Sequence, residues 1–332
     1  MRLIIVPVLS ILISVLSAIS NQNSPLFSTG WYKQSRKGNK TNVKNVSSIG
    51  PSDFPDSEYL RIGGRIPVLY VNAVHDLVKL KYLSISSSGI VDVLPGAFNN
   101  LPNISKLNLK ENGIKHIKTG VFNSLSLTYL YLNKNDISVI ESGAFDDMTL
   151  LQKIKLNSNK ISAWDSQWFK NTPSLTLIFA RRNKITELPA NAFKNLIESG
   201  QKTDLKLFLS KNNIIKIDPK AFSGIKQLGQ LYLDRNKLTE LDKNVFNELA
   251  IIEIISLAKN QLTYLPDELL SSLSVGTLNL SFNYKLRCIS AEIVKKVRTV
   301  NMEKIKINCT CSKSLEKYAK KIIRSNACTN EA

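Results

Sequence analysis

The chain is predicted to be an α/β solenoid: a right-handed coil bent into a horseshoe, with a concave parallel β-sheet. The convex side should be mostly irregular or short-helical, and a helical, disulfide-linked cap should close the C-terminus. Three observations predict this. An apolar pattern returns about every 24 residues from Leu80 to Val275. Within each period two aliphatic residues flank a single variable one. All four cysteines, Cys288, Cys309, Cys311 and Cys328, come after the last period.

The pattern is LxxLxLxxNxIxxI, followed by a phenylalanine and then a leucine. Repeats begin at Leu80, Ile104, Leu127, Leu151, Leu175, Asp204, Leu228 and Ile252, with a truncated one at Val275. The recurring asparagines are Asn112, Asn135, Asn159, Asn183, Asn212, Asn236, Asn260 and Asn283. The phenylalanines are Phe98, Phe122, Phe145, Phe169, Phe193, Phe222 and Phe246, with Leu270 standing in last. Self-similarity at this length marks a solenoid, and the pattern is that of the leucine-rich repeat. In LxL the two leucines fall on one face of a short strand, because side chains alternate along a strand. Each asparagine sits where the chain turns inward, and its amide can satisfy backbone groups that burial would leave unpaired. One repeat cannot bury enough to offset its ordering entropy, so stability must come from stacking.

Residues 1–20, MRLIIVPVLSILISVLSAIS, read as a secretory signal peptide: Arg2, an apolar run, then the small-x-small end Ala18-Ile19-Ser20. No later run reaches the length of a membrane span. A secreted, extracellular protein is therefore expected. Residues 21–56 are polar and aperiodic and are expected to be a flexible arm. Residues 57–287 form the repeat domain, with a degenerate first repeat at 57–79, regular repeats at 80–274 and a truncated one at 275–287. In the first of these, Ile66, Leu69, Val74 and Leu77 align one period ahead of the regular repeats. The period from Leu175 to Asp204 stretches to 29 through LIESGQKT, an insertion expected on the convex or descending side.

Residues 288–332 are expected to be a basic helical cap, with one short helix in SAEIVKKVRTV. A second, in SKSLEKYAKKIIRS, would place Leu315, Tyr318, Ala319, Ile322 and Ile323 on one face and lysines on the other. Four cysteines in an oxidising compartment imply two disulfides. A Cys309–Cys311 bridge would be strained by its short span. Cys288 should therefore pair with one of the two and Cys328 with the other, each closure contributing roughly 3 kcal/mol. Glycosylation sequons occur at Asn39, Asn45, Asn103, Asn279 and Asn308. A glycan on Asn279, between Leu278 and Leu280, would shield the C-terminal end of the concave face.

Forty-five Lys and Arg against 26 Asp and Glu give a formal charge of +19. Twelve of the cations lie between Lys285 and Arg324, against three glutamates, and five more lie between Lys33 and Lys44 with no acid among them. Such charge favours acidic partners, sulfated glycans among them. It also follows from a composition rich in Lys, Asn and Ile.

The variable residues between the leucines should point out onto the concave side. In order they are Tyr82, Lys106, Tyr129, Tyr131, Lys153, Lys155, Phe179, Arg181, Arg182, Phe208, Lys211, Tyr232 and Arg235. These are the candidate ligand-binding residues. Aromatic side chains backed by a rigid sheet cost little entropy to immobilise, and Tyr and Arg are enriched at binding hot spots. Strand positions also favour Tyr for packing reasons alone; the outward Phe179 and Phe208 weigh most.

Catalytic signatures are absent. There is no HExxH, GxSxG, P-loop or dinucleotide fingerprint, and the two histidines, His75 and His116, have no partner motif. No enzyme activity, cofactor or metal is expected.

Residues 80–283 resemble the extracellular typical leucine-rich-repeat family found in Toll-type receptor ectodomains, Slit-like proteins and small leucine-rich proteoglycans. NYKLRC, CTC and the last cysteine resemble that family's C-terminal cap, although here the lone Cys288 precedes the CxC pair. A cysteine-flanked N-terminal cap is missing. In this respect the chain resembles the insect leucine-rich immune molecules, which bind complement-like thioester proteins, although their coiled-coil tail is not evident. The resemblance implies a secreted, non-enzymatic recognition protein of innate immunity. Its partner would be another extracellular protein or a microbial surface, held on the concave face. The alternative is a matrix or cell-surface adhesion protein that binds sulfated glycans through the basic cap. Neither nucleic acid nor a transmembrane segment is expected.

Overall fold

The computed structural model describes residues 25–54, 57–198, 204–318 and 320–323. The predicted signal peptide, most of the inserted LIESGQKT segment and Cys328 lie outside the described residues.

Each LxL run forms one short strand, and among the described residues fourteen strands join in a single sheet. Two precede the repeats: β1 (Phe27–Lys33) and β2 (Thr41–Val46). The degenerate repeat supplies β3 (Tyr59–Gly64). The regular repeats supply β4 (Tyr82–Ser84), β5 (Lys106–Asn108), β6 (Tyr129–Tyr131), β7 (Lys153–Lys155) and β8 (Leu177–Phe179). They continue with β9 (Lys206–Phe208), β10 (Gln227–Tyr232), β11 (Ile251–Ser256) and β12 (Ser274–Asn279). The cap adds β13 (Val297–Asn301) and β14 (Ile322–Ile323). From β3 to β14 every neighbouring pair is parallel, as a coil that advances one strand per turn requires.

The inward residues form one continuous apolar core from Leu26 to Leu315. The phenylalanines close its far side by stacking turn on turn, with centroids 5.4 Å apart for Phe145 and Phe169 and 5.5 Å for Phe193 and Phe222. Ile66, Leu69, Val74 and Leu77 of the degenerate repeat are fully buried, so that repeat is a true turn of the coil. A five-residue helix, α1 (Lys194–Glu198), follows Phe193 on the side away from the sheet.

The asparagines hold the turns together. Asn159 Oδ1 accepts the Ile137 amide at 3.1 Å, and its Nδ2 donates to Leu132 O at 3.0 Å and Leu156 O at 2.9 Å. Asn183 repeats this one turn later, on Ile161 N, Leu156 O and Ala180 O. Leu156 O is thus shared by two amides. The same sharing runs unbroken from Leu109 O to Leu257 O.

Both ends depart from the sequence expectation. The expected flexible arm is instead a β-hairpin: β1 pairs antiparallel with β2, and on its other side antiparallel with β3. The end turn of a solenoid exposes an apolar face and a strand edge. Phe27, Val46, Ile49 and Phe54 bury themselves against that face. Gly63 makes this fit, since a Cβ there would collide with the Trp31 indole.

The C-terminal cap is mixed rather than helical. Helix α2 (Ala291–Lys295) is capped by Ser290, but Val297 onward continues the sheet as β13. Helix α3 (Cys309–Glu316), capped by Asn308, stops short of the predicted face. Leu315 is buried as expected, but Ile322 and Ile323 pair with Val300 and Asn301 as a further strand. The open edge of β13 offers unpaired backbone groups, and satisfying them outweighs extending the helix. Cys288 is bonded to Cys311, with Cα atoms 5.8 Å apart, and Cys309 is also in a disulfide.

Candidate functional site

Three parallel rows line the hollow of the horseshoe, because each turn places the same repeat positions at the same height. The central row runs in register across β6 to β10: Tyr131, Lys155, Phe179, Phe208 and Tyr232. All five are half-buried and stand outside the apolar core. Phe179 and Phe208 stack at 4.3 Å with planes 2° apart, and Phe208 and Tyr232 at 5.0 Å and 9°. Lys155 Nζ lies 5.2 Å from the Tyr131 ring and 5.9 Å from the Phe179 ring, filling the gap between them. Burial, and then Lys153 and Lys110 nearby, lower the Lys155 ammonium below the usual lysine range. Burial raises the Tyr131 and Tyr232 phenols.

The second row stands two residues earlier on each strand and holds Tyr82, Lys106, Tyr129 and Lys153. Lys106 sits 5.0 Å from the Tyr129 ring, and Lys153 5.1 Å from Phe179. Tyr82 belongs to a different group. It stacks on Tyr59 at 4.5 Å, on the strand that also carries Arg61, although its phenol still acts on Tyr131.

The third row comes just before each ladder asparagine. Lys134, Arg182, Lys211, Arg235 and Lys259 all have φ between 54 and 58°. Each donates its backbone N–H across to the next turn, as Arg182 does to Ser210 O at 3.0 Å and Arg235 to Ala258 O at 2.8 Å. The left-handed backbone and this bond repeat together, so the side chains leave the coil at one place on every turn. Arg182, Lys211, Arg235 and Lys259 come from consecutive turns. The Lys211 ammonium is lowered chiefly by Arg182, then by desolvation, Arg235 and Arg181. Arg181, exposed, precedes this row and donates its backbone N–H to Asn157 Oδ1 at 2.7 Å. Lys134 and Lys259 went unnoticed in the sequence, although the residue preceding each repeat asparagine was a sufficient signal.

Beyond Tyr232 the central row drops to Ser256 and Asn279. The step leaves a hollow of about 490 Å³ bordered by Tyr232, Arg235, Ser256, Lys259 and Asn279. A larger depression, about 740 Å³, lies off this face around Ile215, Leu241, Tyr264 and Pro266. A third, about 460 Å³, is lined by Lys295, Lys296, Arg298 and Lys320 at the C-terminal end. The sequons at Asn39, Asn45 and Asn103 are exposed; Asn279 and Asn308 are half-buried, the latter as the α3 cap.

Ser48, His75 and Asp76 make a hydrogen-bonded series near the N-terminal cap, with Ser48 Oγ 3.0 Å from His75 Nε2 and His75 Nδ1 2.8 Å from Asp76 Oδ2. Asn100 also bonds Asp76, and the series ties the cap to two turns. None of the three depressions reaches it. Among the described residues no group of His, Cys, Asp and Glu could hold a metal, and no helix is long and apolar enough to cross a membrane.

Two family models match the chain. The BspA type leucine rich repeat region covers residues 68–199, and the leucine rich repeat covers 205–238 and 227–284. No curated protein matches it. Among solved structures, the chain is similar to the crystal structure of the TLR13–ssRNA13 complex, with TM-score 0.66 and 19% identity over 87% of this chain. It spans 47% of that chain, so about half the length of this neighbour. It is also similar to a chain in the octameric complex of Latrophilin 3, Unc5D and FLRT2, with TM-score 0.51, 17% identity, and 76% and 86% of the two chains covered. At these identities the likeness is one of fold: the molecule is a leucine-rich-repeat solenoid, a fold that commonly serves protein binding or recognition.

Proposed function

We propose that this is a secreted, non-enzymatic recognition protein of innate immunity that binds another extracellular protein, or a microbial surface, on the central turns of its concave face. The observation that carries the reading is the central row. The coil needs aliphatic residues facing inward and asparagines at the turns, but it places no demand on the outward position. The outward position nonetheless carries rings and cations over five consecutive turns, held rigid by stacking. Rigid aromatic and basic groups at the centre of a concave surface are what binding hot spots are made of. The cysteine-bridged cap is in keeping with an oxidising compartment.

The test is affinity capture with the full chain from extracellular fluid of its source, beside a Tyr131→Ala/Phe179→Ala/Phe208→Ala variant. A partner retained by the wild type should be lost by the variant while its melting profile persists. Equal retention by both refutes the reading.

A second reading, adhesion to sulfated glycans through the C-terminal cap, is favoured by the depression among Lys295, Lys296, Arg298 and Lys320. It predicts heparin binding that falls when Lys295, Lys296 and Arg298 become Gln, and that ignores the aromatic substitutions.

A further inference from the structure

Apart from the far face of Tyr232, which borders the hollow, the rings of the central row present their edges, not their faces. Phe208 is covered on one face by Phe179 and on the other by Tyr232, both nearly parallel to it. Lys155 occupies the space between Tyr131 and Phe179. Sugars and nucleobases stack on ring faces, and the inner faces of this row are already taken. What remains is the rim, the positive end of the aromatic quadrupole, together with its apolar carbon edge.

Beside this rim runs the row of cations. Lys153, Lys155, Arg181, Arg182, Lys211, Arg235 and Lys259 make no ion pair among the described residues, whereas Lys206 is paired with Asp204 at 3.2 Å. Among the described residues two acids act on this region: Asp234, which already accepts Ser210 Oγ at 2.6 Å, and Glu253, whose charge reaches Tyr232. Crowding among the cations, Arg182 first, holds the Lys211 ammonium below the usual lysine range.

Spacing gives the form of the guest. Strands about 4.8 Å apart put roughly 14 Å between Arg182 and Lys259, and same-side residues of an extended peptide recur about every 6.8 Å. Three alternate side chains therefore cover the four cations. The open far face of Tyr232 and the small Ser256 leave room for one side chain more, in the hollow.

We infer that this face takes an acidic, extended segment of a partner protein, with carboxylates along Arg182 to Lys259 and one apolar side chain in the hollow beside Tyr232. The inference rests on the concave-face reading and names the chemistry of its partner. Carboxylates meet cations and ring rims together, and the apolar residues between them cover the phenylalanine edges.

Fluorescence anisotropy of the full chain tests it, with short labelled peptides of alternating glutamate and leucine or of alternating lysine and leucine, a heparin oligosaccharide and oligothymidylate. The glutamate peptide should bind saturably and the lysine peptide should not. Arg182→Gln/Lys211→Gln/Arg235→Gln should weaken the glutamate peptide by about tenfold or more. Ser256→Phe, which extends the stack into the hollow, should weaken it without any change of charge. Unfolding midpoints of both variants near that of the wild type assign these losses to the site. An unchanged affinity in the glutamine variant overturns the inference, as does heparin or oligothymidylate displacing the peptide from this row at equal charge. If the glutamine variant still captures the native partner while the aromatic variant does not, the acidic guest is refuted and the concave-face reading stands. If neither substitution matters, both fall.

Discussion

Two rows of this molecule share one period and differ in what their side chains are bonded to. The asparagines behind the sheet spend their amides within the coil: Asn236 accepts from Ile214 N and donates to Leu209 O and Leu233 O. Of the cations one residue earlier, Arg182, Lys211, Arg235 and Lys259 have the same backbone repeat and no ion-pair partner among the described residues, while Lys134 is paired with Glu111. Regular spacing is thus no evidence of function, since stacking imposes it on both rows. The informative difference lies in saturation. Composition on the outward side can also change without disturbing the coil. The central position is Ser84 and Asn108 toward one end and Ser256 and Asn279 toward the other, in unbroken register.

The sharpest way to break the comparison is Asn159→Ala. It strands the Ile137 N–H inside the core and removes one donor each from Leu132 O and Leu156 O. A buried unpaired backbone donor, with two weakened acceptors, costs about 2–3 kcal/mol. Urea unfolding should show this loss, with concave-face binding intact in the folded fraction. A loss below about 0.5 kcal/mol, the level of an ordinary surface substitution, would mean that water replaces the amide and that the two rows do not differ in kind.

Next in size is Phe208→Ala on the outward row. It removes stacking on Phe179 and Tyr232 from a half-buried position, for about 1 kcal/mol of stability. Binding of the native partner should fall about tenfold or more, as for a hot-spot residue. The opposite pattern, a large stability loss with binding preserved, would move Phe208 into the structural class.

The sequence made the middle of the molecule legible and its ends illegible for one physical reason. Between Leu80 and Asn283, outside the inserted LIESGQKT segment, a residue's environment is set by its place in a repeat, so Leu130, Asn135 and Phe145 could be placed by counting. The ends have no neighbour on one side. There the chain must cover an apolar face and a strand edge by whatever local means it has. Phe27, Tyr32, Val43 and Val46 did so among Ser, Asn and Lys that mask any strand pattern. Ile322 and Ile323 fitted a helical face by spacing, but the open edge of β13 claimed them. At the candidate site, counting fixed which side chains point outward. It did not reveal that Phe179 and Phe208 stack face to face, since ring orientation follows from contact between turns.

The smallest expected effect concerns the place where the outward row turns acidic. Glu111 holds the same left-handed position as the cations, with φ 59°, but it is satisfied by Lys134 Nζ at 2.8 Å and Ser87 Oγ at 3.0 Å. Those bonds, Lys134 first, and then the charge of Lys110, lower its carboxyl below the ordinary 4.5. A carboxyl lowered in the folded state contributes stability above its unfolded value, and that contribution disappears as pH falls through the folded value. Glu111→Gln should therefore melt slightly below the wild type at neutral pH, and the gap should close under acid. The same substitution frees Lys134, which stands two turns before Arg182 with Ser158 between them. A glutamate peptide long enough to span that gap should therefore bind the variant somewhat more tightly than the wild type at neutral pH. A melting gap that ignores pH would trace the loss to packing rather than charge. Unchanged peptide affinity would show that the row ends, for its guest, at Arg182.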